Sequence, residues 1–348
     1  MKKVALLGAT GAMGQRFVDM LENHPYFDLR VLVASSHRRG KKYGKDVHWL
    51  LGNSVPDYVK DLEIMEFDVK TLEKENIDIV FSALPSEVAR EYEGTLREKG
   101  YPVFSNSSAY RMEGDVPIVI PEVNREHIEL TKIQKEKYGG FIVTNSNCST
   151  SGLVMALYPL KKFGIEEVIV TTYQAISGAG YPGVASLDIC SNVIPYIKNE
   201  EEKIRRESRK ILGTYENGKI KSYKMRIIAS CARVPVRDGH LESVVVKLRE
   251  DVPLEKVKES MENLKPLGDL PTAPKNPIII RDEDDRPQPL LDACVGSGKS
   301  KGMSVVVGRF ANIEGYLRFY LLVHNTIRGG AGNAILNAEY ALKYGYLR

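Results

Sequence analysis

One cysteine stands among residues suited to covalent chemistry. Cys148 lies in Asn145-Ser146-Asn147-Cys148-Ser149-Thr150-Ser151-Gly152, ahead of the apolar run Leu153-Val154-Met155-Ala156-Leu157. That arrangement places it at or near a helix N-terminus, where the helix dipole and unpaired N–H groups favour thiolate over thiol. The same N–H groups, with the Asn147 amide, could hold the oxyanion formed when a thiolate attacks a carbonyl. A lone cysteine is more often a small buried hydrophobe. This plainer reading suits Cys190, Cys231 and Cys294, which stand in strand-like or mixed apolar contexts, and suits Cys148 poorly. A thiolate also needs a proton partner. His240 lies in Arg233-Val234-Pro235-Val236-Arg237-Asp238-Gly239-His240, before the alternating strand Val244-Val245-Val246-Lys247-Leu248. A polar loop residue at a strand start fits a functional group, and a surface or core histidine fits as well.

A second set of residues could hold phosphates. Val4 to Leu7 read as a short buried strand, followed by Gly8-Ala9-Thr10-Gly11-Ala12-Met13-Gly14 and a helical pattern with Phe17, Val18, Met20 and Leu21 on its apolar side. Glycines three apart at a strand-to-helix turn let the backbone approach a pyrophosphate, to which the helix offers free N–H groups. The alternative is a tight turn that binds nothing. The next strand, Leu29 to Ala34, ends in Ser35-Ser36-His37-Arg38-Arg39 rather than in an acid. Hydroxyls and guanidinium groups suit a 2′-phosphate, so Ser35, Ser36, Arg38 and Arg39 favour NADP over NAD. A solvated basic loop is the alternative. Another strand, Ile77 to Ser82, leads into Ala83-Leu84-Pro85-Ser86. Its carboxyl end should lie beside the first strand's, which makes Ser82, Ala83, Leu84 and Pro85 candidates for lining the cofactor site.

The elements that must position these groups alternate strand and helix. Later strands are read at Tyr101 to Asn106 and Phe141 to Asn145, which implies a doubly wound, mostly parallel sheet. The length of 348 residues exceeds what one core usually spans, so two domains are expected. A net charge of +4 on interleaved charges gives nucleic-acid or membrane binding no support. The opening apolar run is too short for a signal peptide, and no stretch approaches the ~20 apolar residues of a membrane span. The four cysteines form no C-x-x-C pair and no zinc spacing, which points to a reducing cytoplasm and no metal.

Taken in order, six segments resemble the aspartate-semialdehyde dehydrogenase family. They are the Gly8-to-Gly14 turn, Ser146-Asn147-Cys148-Ser149, Gln174-Ala175-Ile176-Ser177-Gly178-Ala179-Gly180, Arg233 to His240, Asp285-Arg286-Pro287-Gln288-Pro289, and Asn325-Thr326-Ile327-Arg328-Gly329. The archaeal and fungal branch, which also contains a malonyl-CoA reductase, is most similar. The resemblance implies an N-terminal α/β Rossmann-type doubly wound domain and an α+β catalytic and dimerisation domain. It implies an NADP-binding domain over 1–147, completed by 326–348, and a catalytic domain over 148–325. The implied reaction reduces L-aspartyl 4-phosphate to L-aspartate 4-semialdehyde, in lysine, methionine and threonine biosynthesis. Cys148 would form the thioester, His240 would act as general acid/base, and Gln174 would orient the substrate. Arg233 would pair with the α-carboxylate, Glu207 with the α-ammonium, and Arg111 and Lys210 with the phosphate. Ser177, Gly178 and Gly180 would lie against the nicotinamide, and Asn325 and Thr326 would close the cofactor site. Without the resemblance, Glu207 and Lys210 read as a solvated ion pair, and Glu200-Glu201-Glu202-Lys203 as a surface run. Malonyl-CoA reductase, N-acetyl-glutamyl-phosphate reductase and a non-catalytic NADP sensor are the rival readings. A homodimer or homotetramer is the implied assembly.

Overall fold

A computed structural model describes residues 1–347. The first half of the chain builds a six-stranded parallel sheet from β1 (Lys2–Leu7), β2 (Phe27–Val33), β3 (Ile64–Met65), β4 (Ile79–Ser82), β5 (Pro102–Ser105) and β6 (Phe141–Thr144). The strand order is β3-β2-β1-β4-β5-β6. The order reverses between β1 and β4, so the turns leaving those two strands face a common crevice. Among the described residues, seven helices reach nine residues or more. They are α1 (Ala12–Leu21), α2 (Ser86–Glu98), α3 (Leu130–Tyr138), α4 (Cys148–Leu157), α5 (Glu200–Ile211), α6 (Leu254–Glu262) and α7 (Gly332–Lys343).

Residues along these strands are apolar at successive positions because both sheet faces are covered. Val4, Leu6, Leu32, Phe81 and Phe104 join Phe17, Val18 and Leu21 of α1 and Ala334, Ile335 and Ala338 of α7. On the other face Ala5, Leu7, Val31, Val80 and Val103 join Leu72 and Leu96. The last long helix of the chain therefore packs on the first sheet.

The second sheet is mixed. Its strands are β7 (Ile165–Gln174), β10 (Arg226–Arg233), β11 (His240–Leu248), β12 (Ile278–Arg281), β13 (Val305–Ile313) and β14 (Tyr316–Val323), in the order β10-β7-β11-β14-β13-β12. A separate hairpin pairs β8 (Thr214–Glu216) with β9 (Lys219–Lys221). In the second sheet β11, and β7 from Val168 on, alternate buried and less buried positions because one face packs on helices α4, α5 and α6.

Several details differ from the sequence reading. The edge strand β3 has only two residues, too few for an alternation to show. The fourth strand begins at Ile79 rather than Ile77. His240 is not in a loop: it is the first residue of β11 and fully buried. Only Cys231 is a buried small hydrophobe, since Cys190 and Cys294 are exposed.

Candidate active site

The mixed sheet delivers three functional side chains on one rung. Ladder pairing sets Arg233 of β10 opposite Gln174 of β7, and His240 of β11 opposite Val323 of β14. Leu241 faces Tyr173, so the next step of the antiparallel register brings His240 to Gln174. All three lie on the face turned toward α4. Cys148 stands at the first position of that helix, and its Sγ lies 3.1 Å from His240 Nε2.

The backbone N–H of Ala175 donates to His240 Nδ1 at 3.0 Å. That nitrogen must then carry the lone pair, so the neutral ring bears its proton on Nε2, facing the sulfur. Burial holds His240 well below the ordinary histidine range, with Arg233 and His324 adding to the effect. In this tautomer the ring can donate a hydrogen bond to the sulfur.

Burial, with Glu200 nearby, pushes the Cys148 thiol up to about 12, while the Ser149 N–H, Arg111 and Arg233 act in the opposite sense. Burial thus opposes the thiolate that a helix start alone favours. One reason is visible at the cap. Asn147 Oδ1 accepts from Ser149 N at 3.1 Å and Thr150 N at 3.2 Å, so two first-turn N–H groups are already engaged. Asn147 Nδ2 donates to Glu200 Oε1 at 2.7 Å. The expected oxyanion donor is first of all a helix cap, and the Cys148 N–H is the one left at that turn.

Two expectations need correction, and both lie on α5. Lys210 Nζ donates to the carbonyls of Arg111, Glu113 and Val116 at 2.7, 2.8 and 2.7 Å. All three ammonium protons are engaged, so Lys210 has none for a phosphate. Glu207 accepts from Arg111 Nη1 at 3.0 Å and from the Asn147 N–H at 2.6 Å, and is 2% exposed. These residues form a layer behind the cleft that fixes Arg111 and the Cys148 loop. The residues that reach the cleft are Glu200 and Lys203, seven positions earlier. Seven residues are about two helical turns, so both pairs share a helix face, and the i,i+3 spacing alone does not choose between them. Glu200 is not part of a surface run. It is buried, and its Oε1 also accepts from Gln174 Nε2 at 3.1 Å. Lys203 Nζ stands 3.5 Å from Glu200 Oε2. The available signal was position: Glu200 opens the helix, the end nearest the sheet rung.

One cleft of about 570 Å³ joins these groups to the dinucleotide turns. Its walls include Cys148, Asn147, Gln174, Arg233, Arg111, Glu200 and Lys203 at one end. Gly11, Ala12, Met13, Ala83, Leu84, Pro85, Ser177, Gly178, Gly180, Asn325 and Thr326 continue it. A dinucleotide fits this end by shape and by charge. Gly8 has φ +76°, and a Cβ there would meet the Ala83 carbonyl oxygen at 2.7 Å. At the start of α1, Gly11 supplies no side-chain cap and the first turn holds no acid, so its N–H groups stay open to an anion. A Cβ on Gly178 would lie 2.8 Å from Arg233 Nη1, so the guanidinium would have to shift to admit it. Asn325 accepts from the Gly239 N–H and donates to Ser177 Oγ, fastening the two loops that flank His240. Thr326 Oγ1 accepts from Arg16 Nε at 3.2 Å.

Other predicted cofactor residues stand outside the cleft walls. Gly8 and Thr10 shape the turn, and Ser82 is buried within the sheet. Ser35, Ser36, Arg38 and Arg39 follow β2 on the surface, at the carboxyl edge of the first sheet. Arg39 lies 3.6 Å from Glu66, and Arg38 Nη1 donates to the Asp46 carbonyl. Gly329 also lines the cleft, although the sequence around it carries no signal of that role. A Cβ there would come within 2.7 Å of Cys148 Cβ.

Comparison with known proteins identifies the family of the chain. Residues 3–131 match the family model of the semialdehyde dehydrogenase NAD-binding domain, and residues 157–328 match that of the semialdehyde dehydrogenase dimerisation domain. Aspartate-semialdehyde dehydrogenase from Archaeoglobus fulgidus is 52% identical over 98% of each chain. The enzyme of that name from Saccharomyces cerevisiae is 40% identical over 98% of each. The crystal structure of the Candida albicans aspartate-semialdehyde dehydrogenase with NADP superposes with a TM-score of 0.90 at 38% identity, covering 99% of this chain and 100% of that one. The chain belongs to the aspartate-semialdehyde dehydrogenase family.

Proposed function

We infer that the chain catalyses the NADP-dependent reductive dephosphorylation of L-aspartyl 4-phosphate to L-aspartate 4-semialdehyde. The observation that carries this reading is the Cys148–His240 pair at 3.1 Å, set in a cleft shared with the dinucleotide turns. The Cys148 sulfur attacks the acyl carbon, and its thiol proton passes to an oxygen of the phosphate that departs. The tetrahedral intermediate expels phosphate and leaves a thioester on Cys148. When bound, NADPH supplies the hydride that reduces this thioester. Collapse of the thiohemiacetal breaks the C–S bond and frees the aldehyde. His240, with its Nε2 proton toward the sulfur, steadies the leaving thiolate with a hydrogen bond, and the thiolate regains its proton from solvent.

Substrate recognition follows from the charges at the inner end of the cleft. Arg233, fixed by its bond to the Ala175 carbonyl at 2.7 Å, takes the α-carboxylate. Glu200 takes the α-ammonium in place of Glu207. Arg111 and Lys203 take the phosphate in place of the Arg111–Lys210 pair, and Gln174 orients the acyl group. Malonyl-CoA has no ammonium to meet Glu200, which favours the amino-acid substrate. Around the cofactor, the expected residues keep their roles, with Ser35, Ser36, Arg38 and Arg39 placed to meet a 2′-phosphate. We take 1–147 with 326–348 as the nucleotide domain and 148–325 as the catalytic domain.

The assembly we infer is a homodimer or homotetramer joined through the second sheet. Its outer face sets Ile169 and Ile228 side by side across the ladder, exposed by 38% and 40%. Light scattering after size exclusion tests this; a monomer at micromolar concentration would refute it. We place the protein in the cytoplasm, where a nucleophilic thiol stays reduced. Among the described residues no helix is long and apolar enough to cross a membrane.

The deciding assay follows NADPH formation from NADP, phosphate and aspartate semialdehyde, and in parallel NADPH oxidation with malonyl-CoA. Turnover with malonyl-CoA alone would overturn the substrate assignment. A Cys148→Ser variant at full rate would overturn the thioester.

A further inference from the structure

Behind the stretch of cleft wall from Asn106 to Arg111 lies a buried carboxyl that the reaction does not use. Glu93 stands on α2 and is fully buried. Its Oε1 accepts from Ser105 Oγ, at the end of β5, at 2.6 Å, and its Oε2 has no hydrogen-bond partner. A half-satisfied buried carboxyl costs stability that an apolar residue in the same space would not. An acid at this place calls for a functional reason.

Hydrogen bonds lead from Glu93 to Arg111 without a gap. Ser105 Oγ, which donates to Glu93, accepts in turn from the Ser107 N–H at 3.0 Å. That N–H belongs to the same planar peptide as the Asn106 carbonyl. The carbonyl accepts from Arg111 Nη2 at 2.7 Å. One peptide is thus held at its two edges, by Ser105 and by Arg111. The Asn106 N–H donates to the Ser82 carbonyl at 2.9 Å, and the Asn106 side-chain oxygen accepts from Asn145, but neither bond acts on the plane of this peptide. Arg111 Nη1 donates to Glu207 at 3.0 Å, which leaves its other donors for an anion in the cleft.

We propose that Glu93 is a positioning residue: through the Ser105 hydroxyl and the Asn106–Ser107 peptide it aims the Arg111 guanidinium at the phosphate. The proposal rests on the functional reading above for the phosphate. A serine hydroxyl has a single proton to donate. While Glu93 takes that proton, the lone pairs of Ser105 are turned to the Ser107 N–H; with an apolar residue at position 93 the hydroxyl is free to rotate. Burial raises the Glu93 carboxyl to about 7, and the Ser105 and Ser82 hydroxyls and the Arg111 charge draw it back, so Arg111 is near enough for its charge to reach Glu93.

The test measures KM for phosphate in NADPH formation, with NADP and aspartate semialdehyde saturating. Glu93→Met removes the acceptor at similar volume, Ser105→Ala breaks the relay at its next group, and Glu93→Gln keeps an acceptor without the charge. Glu93→Met and Ser105→Ala should each raise KM for phosphate about tenfold, the loss of roughly one net hydrogen bond, with kcat and KM for aspartate semialdehyde within about twofold. The double variant should match either single one, because both cut the same path. Glu93→Gln should stay within about threefold of wild type, since its amide oxygen still accepts from Ser105. A residue serving packing alone would lower the melting temperature and leave KM for phosphate unmoved. The proposal fails if Ser105→Ala keeps the wild-type KM for phosphate, if the effects of Ser105→Ala and Glu93→Met add, or if Glu93→Gln is no better than Glu93→Met. Should Glu93→Met not fold, Ser105→Ala and Glu93→Gln decide between them. Arg111→Met is the reference. A wild-type KM for phosphate in that variant would overturn the phosphate reading itself, whereas a raised one beside an unchanged Ser105→Ala would overturn only the positioning role.

Discussion

Replacing Glu200 by Gln separates the two readings of α5. Glu200 Oε1 accepts from Asn147 and Gln174, and Oε2 faces Lys203 at 3.5 Å. The amide of a glutamine keeps one acceptor and the volume but removes the charge. A hydrogen bond to a charged partner contributes about 1.5–3 kcal/mol. At 1.4 kcal/mol per tenfold, kcat/KM for aspartate semialdehyde should fall about 10- to 100-fold. The assay is steady-state NADPH formation with aspartate semialdehyde and, in parallel, with succinate semialdehyde, which lacks the α-amino group. Glu200→Gln should penalise the first aldehyde and leave the second within about threefold, because the missing interaction belongs to a group the second lacks. Glu207→Gln should behave differently. Glu207 is 2% exposed and bonded to Arg111 and the Asn147 N–H, so its loss should lower the melting temperature and slow both aldehydes alike. Equal penalties on both aldehydes from Glu200→Gln, with selectivity lost in Glu207→Gln, would refute the assignment of the ammonium to Glu200.

Three further outcomes follow from the geometry. Gly178→Ala places a Cβ 2.8 Å from Arg233 Nη1 and 3.1 Å from His240 Cε1, so kcat/KM should fall more than about tenfold, from ~1.4 kcal/mol or more of lost positioning, while circular dichroism is unchanged. An unchanged kcat/KM would show that the two side chains can move aside freely. Glu93, buried beside Ser105, is raised by burial to about 7 from 4.5. Because the folded state holds that proton more tightly, stability declines as pH rises from about 4.5 through about 7. Glu93→Gln should remove up to about 3 kcal/mol of that slope, and identical stability-versus-pH curves would count against it. Arg39→Gln should reduce kcat/KM for NADP about tenfold and leave that for NAD unaltered; parallel loss with both cofactors would place the 2′-phosphate elsewhere.

The nucleotide turn, Cys148 and the strand pattern of the first sheet were legible because each rests on local chemistry. Gly8 takes a positive φ, and the run from Leu153 to Leu157 is helical, as its composition suggests. What was hidden depends on which side of an element faces which layer. Glu200 looked solvated because its neighbours Glu201 and Glu202 share its charge, although only Glu200 turns into the cleft. Lys210 looked available because a lysine in a charged helix usually is, and only the fold supplies the three carbonyls that occupy it. His240 looked like a loop residue because Gly239 precedes it, while β11 starts at His240, four residues before the alternation read from Val244.

The late segment from Asn325 to Ala331 explains why the chain must return to its first domain to complete the site. Arg328 is fully buried, and its guanidinium bonds Glu122 and Asn333. The pair ties the segment to the residues just before α3, within the first half of the chain. Gly329 then lies against Cys148, and Ser151 Oγ donates to the Arg328 carbonyl, so the segment forms one wall of the nucleophile's turn. Asn333 and Asn337 of α7 both donate to the Val119 carbonyl and to Asn145 Oδ1, three residues ahead of Cys148. The sulfur is thus held by its own helix, by the sheet rung carrying His240 and by the returning segment. An ion pair between residues with no surface exposure adds little net stability over an apolar pair, yet removing one partner is costly. Arg328→Met should therefore lower the melting temperature and kcat together, whereas Glu122→Gln with Arg328→Met should recover stability before it recovers rate. If the double variant regained both, the ion pair would serve packing alone and the wall against Cys148 would be held without it.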